Sequence, residues 1–177
     1  MLFRSKRALI KDRRFENLYL MAAGPNRDDR DITPLHMQVL CDKLKKSFDY
    51  IIIDAPAGIS ENLLNAAAAA DRAVIVTEAE FAALRDAQAM DDYLRDIGIK
   101  KRAYVVNKVR VDLMMTVLVP TLSEISSNLR TQLMGIIQYD DNIYISTNKG
   151  VPIILMAEKM IGYILYTIAT TDRKSVV

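Results

Sequence analysis

Residues 48–60, Phe-Asp-Tyr-Ile-Ile-Ile-Asp-Ala-Pro-Ala-Gly-Ile-Ser, constrain the fold more tightly than any other stretch of the chain. The apolar, β-branched run 50–53 halts at Asp54, and Pro56 and Gly58 punctuate the residues after it. That pattern predicts a buried strand delivering a carboxylate to a loop. Open α/β sheets build their sites in this way, at the carboxyl ends of strands. In nucleoside triphosphatases an Asp so placed holds Mg²⁺ or its waters, beside a small-residue loop that moves with the γ-phosphate. A strand ending in Asp is also ordinary in doubly wound domains without a metal, and the run alone leaves both readings open.

The 177 residues, about half hydrophobic and a quarter charged, suffice for one sizeable core and predict a single domain. Lys plus Arg is 24 against 22 Asp plus Glu, so the basic surplus typical of nucleic-acid binding is missing and no nucleic-acid partner is expected. Cys41 is the sole cysteine, which excludes an internal disulfide framework and fits a reducing compartment. The longest apolar run near the end, 160–169, is about half of what a bilayer span needs, and no transmembrane segment is expected. Residues 1–5 and 172–177 can be encoded by the two arms of a common sequencing adapter, and we expect both to be non-native. Without them the formal charges balance.

Taken in order, residues 6–16 form a charged lead-in, and Leu18, Tyr19, Leu20 and Met21 predict a buried strand over 17–23. A loop over 24–31 follows. Thr33 and Pro34 signal an N-cap and a proline at the first helical position, opening a helix with Leu35, Val39, Leu40 and Leu44 on one face. Ser60 caps a short alanine-rich helix over 61–70, and 73–77 is a strand. Ala83, Ala87, Met90, Leu94 and Ile97 then mark a helix over 81–97 that Gly98 stops. A strand over 103–106 runs into Asn107. Residues 111–119 lack a clean period, and 121–131 suggest a helix through Leu122, Ile125 and Leu129. A strand over 133–137 and a short helix opened by Asp140 or Asp141 come next, then a breaker at Gly150 and Pro152. A last helix over 156–169 carries Met160, Ile161, Ile164, Leu165 and Ile168 on one stripe. Strands alternating with helices argue for parallel βαβ units.

The string Asp54-Ala-Pro-Ala-Gly-Ile59 resembles the switch loop of the MinD branch of the MinD/ParA P-loop ATPases. The resemblance spans 6–154 and rests on further blocks in family order: 8–15 and 17–20, 77–86, Val106-Asn-Lys-Val-Arg-Val-Asp112, and Asn142-Ile-Tyr-Ile-Ser-Thr-Asn-Lys-Gly-Val-Pro152. Gln138, Ser60 and the pair Glu78-Ala79 depart from it, where proline, glutamate and asparagine-proline are usual. It implies a three-layer α/β/α fold with a mostly parallel sheet, incomplete here because N-terminal strands are missing. By the same resemblance Asp54 is the catalytic carboxylate near Mg²⁺, acting through water, and Ala55, Pro56, Ala57 and Gly58 sense the nucleotide. Asn107 would hydrogen-bond the adenine edge, since one planar amide both donates and accepts, and Asp140 would lie beside the base. A loop Asn satisfying backbone groups is the plainer reading of Asn107.

Glu80, Arg85 and Asp86 fall where the family docks MinC-like and MinE-like regulators; a solvated helix start explains the same residues. His36 and Cys41 are read as helix residues rather than ligands. The resemblance implies an intact parent that binds ATP and Mg²⁺, forms an ATP-dependent homodimer, and rests on the inner membrane face through a C-terminal helix absent here. It would be cytoplasmic and peripheral, and would position the division septum. The Gly-rich loop with its signature Lys that neutralises the β- and γ-phosphates is absent from the sequence, so this chain by itself is expected not to hydrolyse ATP. The strand that would carry that loop lies beside 50–53 in the family, which predicts that buried strand edges are left exposed or that the remaining strands are forced together. A degenerate non-catalytic scaffold, or a flagellar-number or partition relative, is the alternative. A dehydrogenase-like domain is disfavoured by the lack of a G-x-G-x-x-G.

Overall fold

The computed structural model describes residues 9–22, 32–116 and 118–156. The expected loop over 24–31, nearly all of the helix expected over 156–169, and both terminal stretches lie outside them. Five strands and seven helices occur among the described residues: β1 (Ile10–Lys11), β2 (Tyr19–Leu20), α1 (Pro34–Leu44), α2 (Glu61–Ala68), β3 (Arg72–Glu78), α3 (Phe81–Asp96), β4 (Lys101–Val109), α4 (Val111–Met114), α5 (Leu122–Asn128), β5 (Gln132–Gln138), α6 (Asp141–Asn148) and α7 (Ile153–Met156).

A parallel sheet of order β3-β4-β5 carries the fold. Its strands are rich in Val and Ile, and each is linked to the next through helix, as parallel pairing requires. On one face Ile75 and Thr77 sit opposite Tyr104 and Val106 in register. All four are buried, and they join Leu84, Ala87 and Leu94 of α3 and Ile125 of α5 at the core. Burying side chains such as Tyr104, Val106 and Ile125 stabilises the fold by roughly 1.5–3 kcal/mol each. The Tyr104 hydroxyl donates to Ser126 Oγ at 3.5 Å, and the Thr77 hydroxyl to the Ala83 carbonyl at 3.1 Å, so polar groups on this face are satisfied. Alternation leaves Val76 on the opposite side, 64% exposed.

At the other end of the sheet Arg102 and Asp91 form a nearly buried ion pair, Nε to Oδ1 2.6 Å, and Arg102 Nη1 also donates to the Ile99 carbonyl. This pair locks α3 to the start of β4. Asp91 occupies a position within the buried stripe of α3 that an apolar period does not anticipate. Gly98, at φ 96°, takes the left-handed conformation that lets the chain leave α3 and turn into β4.

Two expected caps hold: Thr33 caps α1 with Pro34 at the first position, and Ser60 caps α2. Thr121 with Glu124 adds a capping box on α5, which ends at Asn128, short of the expected 131. The buried face of α1 is not the expected one. Leu35 and Val39 are exposed, and Cys41 is the buried residue, with Met37, Leu40 and Leu44 half-buried beside it. The helix turns this face to α2, to which Gln38 donates at the Ala68 carbonyl.

Two expected strands are corrected. The segment 17–23 yields only the two exposed residues of β2, paired antiparallel with β1 from within the charged lead-in. Having only β1 as a strand partner among the described residues, this ribbon buries little. The run 50–53 forms no strand. Ile52 is 84% exposed and Tyr50 is exposed too. A strand exists only through a ladder, and no neighbour hydrogen-bonds this run among the described residues.

Candidate functional site

Because β3, β4 and β5 are parallel, their carboxyl ends open on one edge, where open α/β sheets place ligands. Glu78, the last residue of β3, lies in register with Asn107 of β4. Tyr139, just past β5, donates its backbone N–H to the Val109 carbonyl at 3.0 Å, which brings Asp140 to the same edge. Asn107 and Asp140, far apart in sequence, thus share the carboxyl edge, and Asn107 is half-buried.

The β4 strand bulges here. Val106 pairs with Ile136 and Val109 with Gln138, so β4 spends one more residue than β5 across that interval. Lys108 sits in the bulge at φ 52°, the left-handed region that a residue with a long side chain seldom enters. Its Nζ lies 2.6 Å from Glu78 Oε1, and that carboxylate pushes the ammonium pKa up. Next to it the Arg110 guanidinium lies 5.3 Å from the Tyr139 ring centroid and pairs with Asp112, while the Tyr139 hydroxyl donates to Asp141 at 2.9 Å. Sequence reasoning missed both clusters. The departure at Glu78-Ala79 was the available signal for the first, since a carboxylate facing a Lys one strand away is a legible pair once register is known.

Asp140 serves first as the N-cap of α6. Its Oδ1 accepts from the backbone N–H and the side-chain amide of Asn142, at 2.7 and 2.8 Å. Asp54 is exposed in the segment after 50–53, and no hydrogen bond reaches its carboxylate among the described residues. Ala55, Pro56 and Ala57 are exposed in the same loop, and Gly58, at φ 82°, supplies the left-handed step that turns it toward Ser60. No ladder connects this loop with the carboxyl edge of the sheet among the described residues. Glu80 stands at the N-cap of α3 without a side-chain capping bond, and Arg85 and Asp86 lie one turn on; all three are exposed.

His36 Nδ1 accepts from the Thr33 backbone N–H at 3.2 Å, a capping role. Cys41 is buried, and that burial pushes its thiol pKa up, away from thiolate chemistry. Among the described residues no group of three or more His, Cys, Asp or Glu side chains gathers as a metal-protein cage would. Mg²⁺ needs no such cage, since it is commonly held by one carboxylate, substrate phosphates and water. A single uncommitted Asp54 carboxylate fits that donor set. No helix among the described residues is long and apolar enough to cross a membrane.

No family model matches the chain. Individual proteins do. It is 42% identical over 154 residues to the septum site-determining protein MinD of Synechocystis, covering 87% of this chain and 58% of that protein. It is 38% identical over 148 residues to MinD of Bacillus subtilis, covering 82% of this chain and 55% of that one. Among solved structures, the MinC:MinD cell division complex of Aquifex aeolicus superposes with a TM-score of 0.84 at 27% identity, over 98% of this chain and 70% of that chain. MinD of Pyrococcus horikoshii, solved with Mg-ADP, shares the fold at a TM-score of 0.75 and 20% identity, over 87% of this chain and 62% of that one. The expected α/β P-loop ATPase fold therefore stands, with the described sheet supplying part of it. The chain spans little more than half the length of the septum site-determining relatives it matches, and over that span it belongs to the MinD family.

Proposed function

We propose that the whole protein is a MinD-type ATPase that dimerises with ATP, binds the inner membrane face and positions the division septum. One observation carries this reading beyond family membership: Glu78, Asn107 and Asp140 converge on the carboxyl edge of a parallel sheet, where a nucleotide base can be bound. Asn107 recognises the adenine edge through its amide, and Asp140, while capping α6, lies beside the base. Ala55, Pro56, Ala57 and Gly58 form the nucleotide-sensing loop. Asp54 holds Mg²⁺ through water, and the ion supplies charge neutralisation at the phosphates when bound.

The native part of the chain is one partial domain, with 1–5 and 172–177 foreign to it. The run 50–53, with Tyr50 and Ile52 exposed, and the edge of β3, which pairs only with β4 among the described residues, are two strand-type surfaces awaiting a strand from the remainder of the protein. That strand brings the Gly-rich phosphate loop and fixes Asp54 against it. Glu80, Arg85 and Asp86 present an exposed charged surface at the start of α3 to MinC-like and MinE-like regulators. The partnership with MinC draws support from the A. aeolicus complex.

The test measures ATP binding and hydrolysis by this chain beside a form extended through its upstream coding sequence. Hydrolysis in the extended form alone, abolished by Asp54→Ala, is the expected result, because the phosphate cradle supplies most of the electrostatic stabilisation in phosphoryl transfer. Failure of both forms to bind nucleotide would replace the ATPase by a non-catalytic scaffold.

A further inference from the structure

We infer that Glu78 and Lys108 are a positioning pair for base recognition, holding Asn107 at the carboxyl edge by an ion pair stretched across β3 and β4. The inference rests on the adenine reading of Asn107 and adds the means by which that amide is kept in place.

Three observations converge on it. Asn107 is flanked on its own strand by Lys108 and faced across the ladder by Glu78, so the ion pair joins its two neighbours and brackets it. The strand bulges here by one residue, and bulges beside sites re-aim side chains at the expense of ladder pairing. The bulge loosens the ladder of β4 to β5, and the 2.6 Å contact between Nζ and Oε1 ties the same segment of β4 to β3 on its other side. Lys108 also adopts φ 52°, a backbone state that Gly or Asn would enter with less strain. A Lys there is accounted for by what its ammonium reaches. Every other charged group around the pair is accounted for: Arg110 is committed to Asp112 and Tyr139, Asp140 to Asn142, and Glu80 and the Tyr139 hydroxyl act on the ammonium only through space.

Both partners are substantially exposed, so their effect is modest and salt-sensitive. A purely structural pair would change thermal stability and leave nucleotide choice alone. A positioning pair changes the choice of base while leaving the phosphate end untouched.

In the upstream-extended protein, affinities for ATP, GTP and inorganic triphosphate are measured for the parent, Asn107→Ala, Glu78→Gln, Lys108→Gln and the reversed pair Glu78→Lys with Lys108→Glu. We expect each single Gln variant to lower the ATP-over-GTP preference about three- to fivefold, the most that an exposed ion pair delivers. Triphosphate affinity should stay put, and the reversed pair should restore the preference to within about twofold of the parent, by the coupling such paired substitutions measure. The parent's preference should also fall with added salt. If Asn107→Ala lowers the preference while the Gln variants do not, or if charge reversal fails to rescue, the positioning role is overturned and the adenine reading stands. If Asn107→Ala leaves the preference unchanged, the adenine reading itself fails and takes the positioning role with it.

Discussion

The run 50–53 and the core of β4 are nearly interchangeable as sequence, Tyr-Ile-Ile-Ile against Tyr-Val-Val, yet the first is unpaired with Tyr50 and Ile52 exposed, while the second is the most buried strand among the described residues. Tyr104 and Val106 have β3 on one side, β5 on the other and helices α3 and α5 above. Ile51 to Ile53 have no strand on either side among the described residues. An apolar β-branched run states a need for a ladder and a cover; neighbours decide whether the need is met.

That comparison can be broken first at its best-supported point. Asp91→Ala strands Arg102 in a nearly buried position, and removing one partner of such a pair costs about 3–5 kcal/mol. Urea titration followed by far-ultraviolet circular dichroism should show the midpoint collapse; a loss below about 1 kcal/mol would mean that the pair is solvated and the β4 end of the sheet is loosely held. The cap of α5, which covers Tyr104, tests the same region more gently. Thr121→Ala should cost about 1 kcal/mol, since its hydroxyl accepts from the Glu124 N–H.

The Glu124 carboxylate accepts from the Thr121 backbone and hydroxyl, which holds its pKa below the usual carboxylate range. Its folded pKa being the lower one, this contribution is present above the unfolded pKa and disappears as pH falls through the folded value. Stability should therefore decline on acidification through the carboxylate range, and Glu124→Gln should flatten that portion of the decline in a pH series of melts.

The smallest effect sharpens the contrast most. Ile52→Ala in this chain should change stability by less than about 0.5 kcal/mol, because an exposed side chain has no packing to lose. In the upstream-extended protein the same change should cost about 2–5 kcal/mol once a strand covers the run. Equal, small losses in both forms would leave the run without a partner strand and sink the idea of a missing ladder.

Much of the fold was legible because its signals are local. Thr33 with Pro34 and Ser60 name helix starts through hydrogen bonds made within three residues, Asp140 or Asp141 brackets a third, and Gly98 marks a stop through its own φ. Asn107 and Asp140 were legible as candidates, and they lie near the end of β4 and just past the end of β5. Illegible were the quantities that depend on partners. The face of α1 could not be read from Leu35 and Val39, since burial there depends on α2, and Asp91 could not be told from a surface acid without Arg102. The Glu78–Lys108 pair required the β3–β4 register, and the bulge at Lys108 required β5.

The sequence by itself determined the alternation of helix and strand, the caps, and the family to which this span belongs, because propensity, capping and motif order are written in short stretches of chain. Only the tertiary structure decided which apolar runs are strands, which acids are buried and which residues share the carboxyl edge. Ladder hydrogen bonds, desolvation and ion pairing all act between segments far apart in sequence, and their outcome is fixed by what packs beside them.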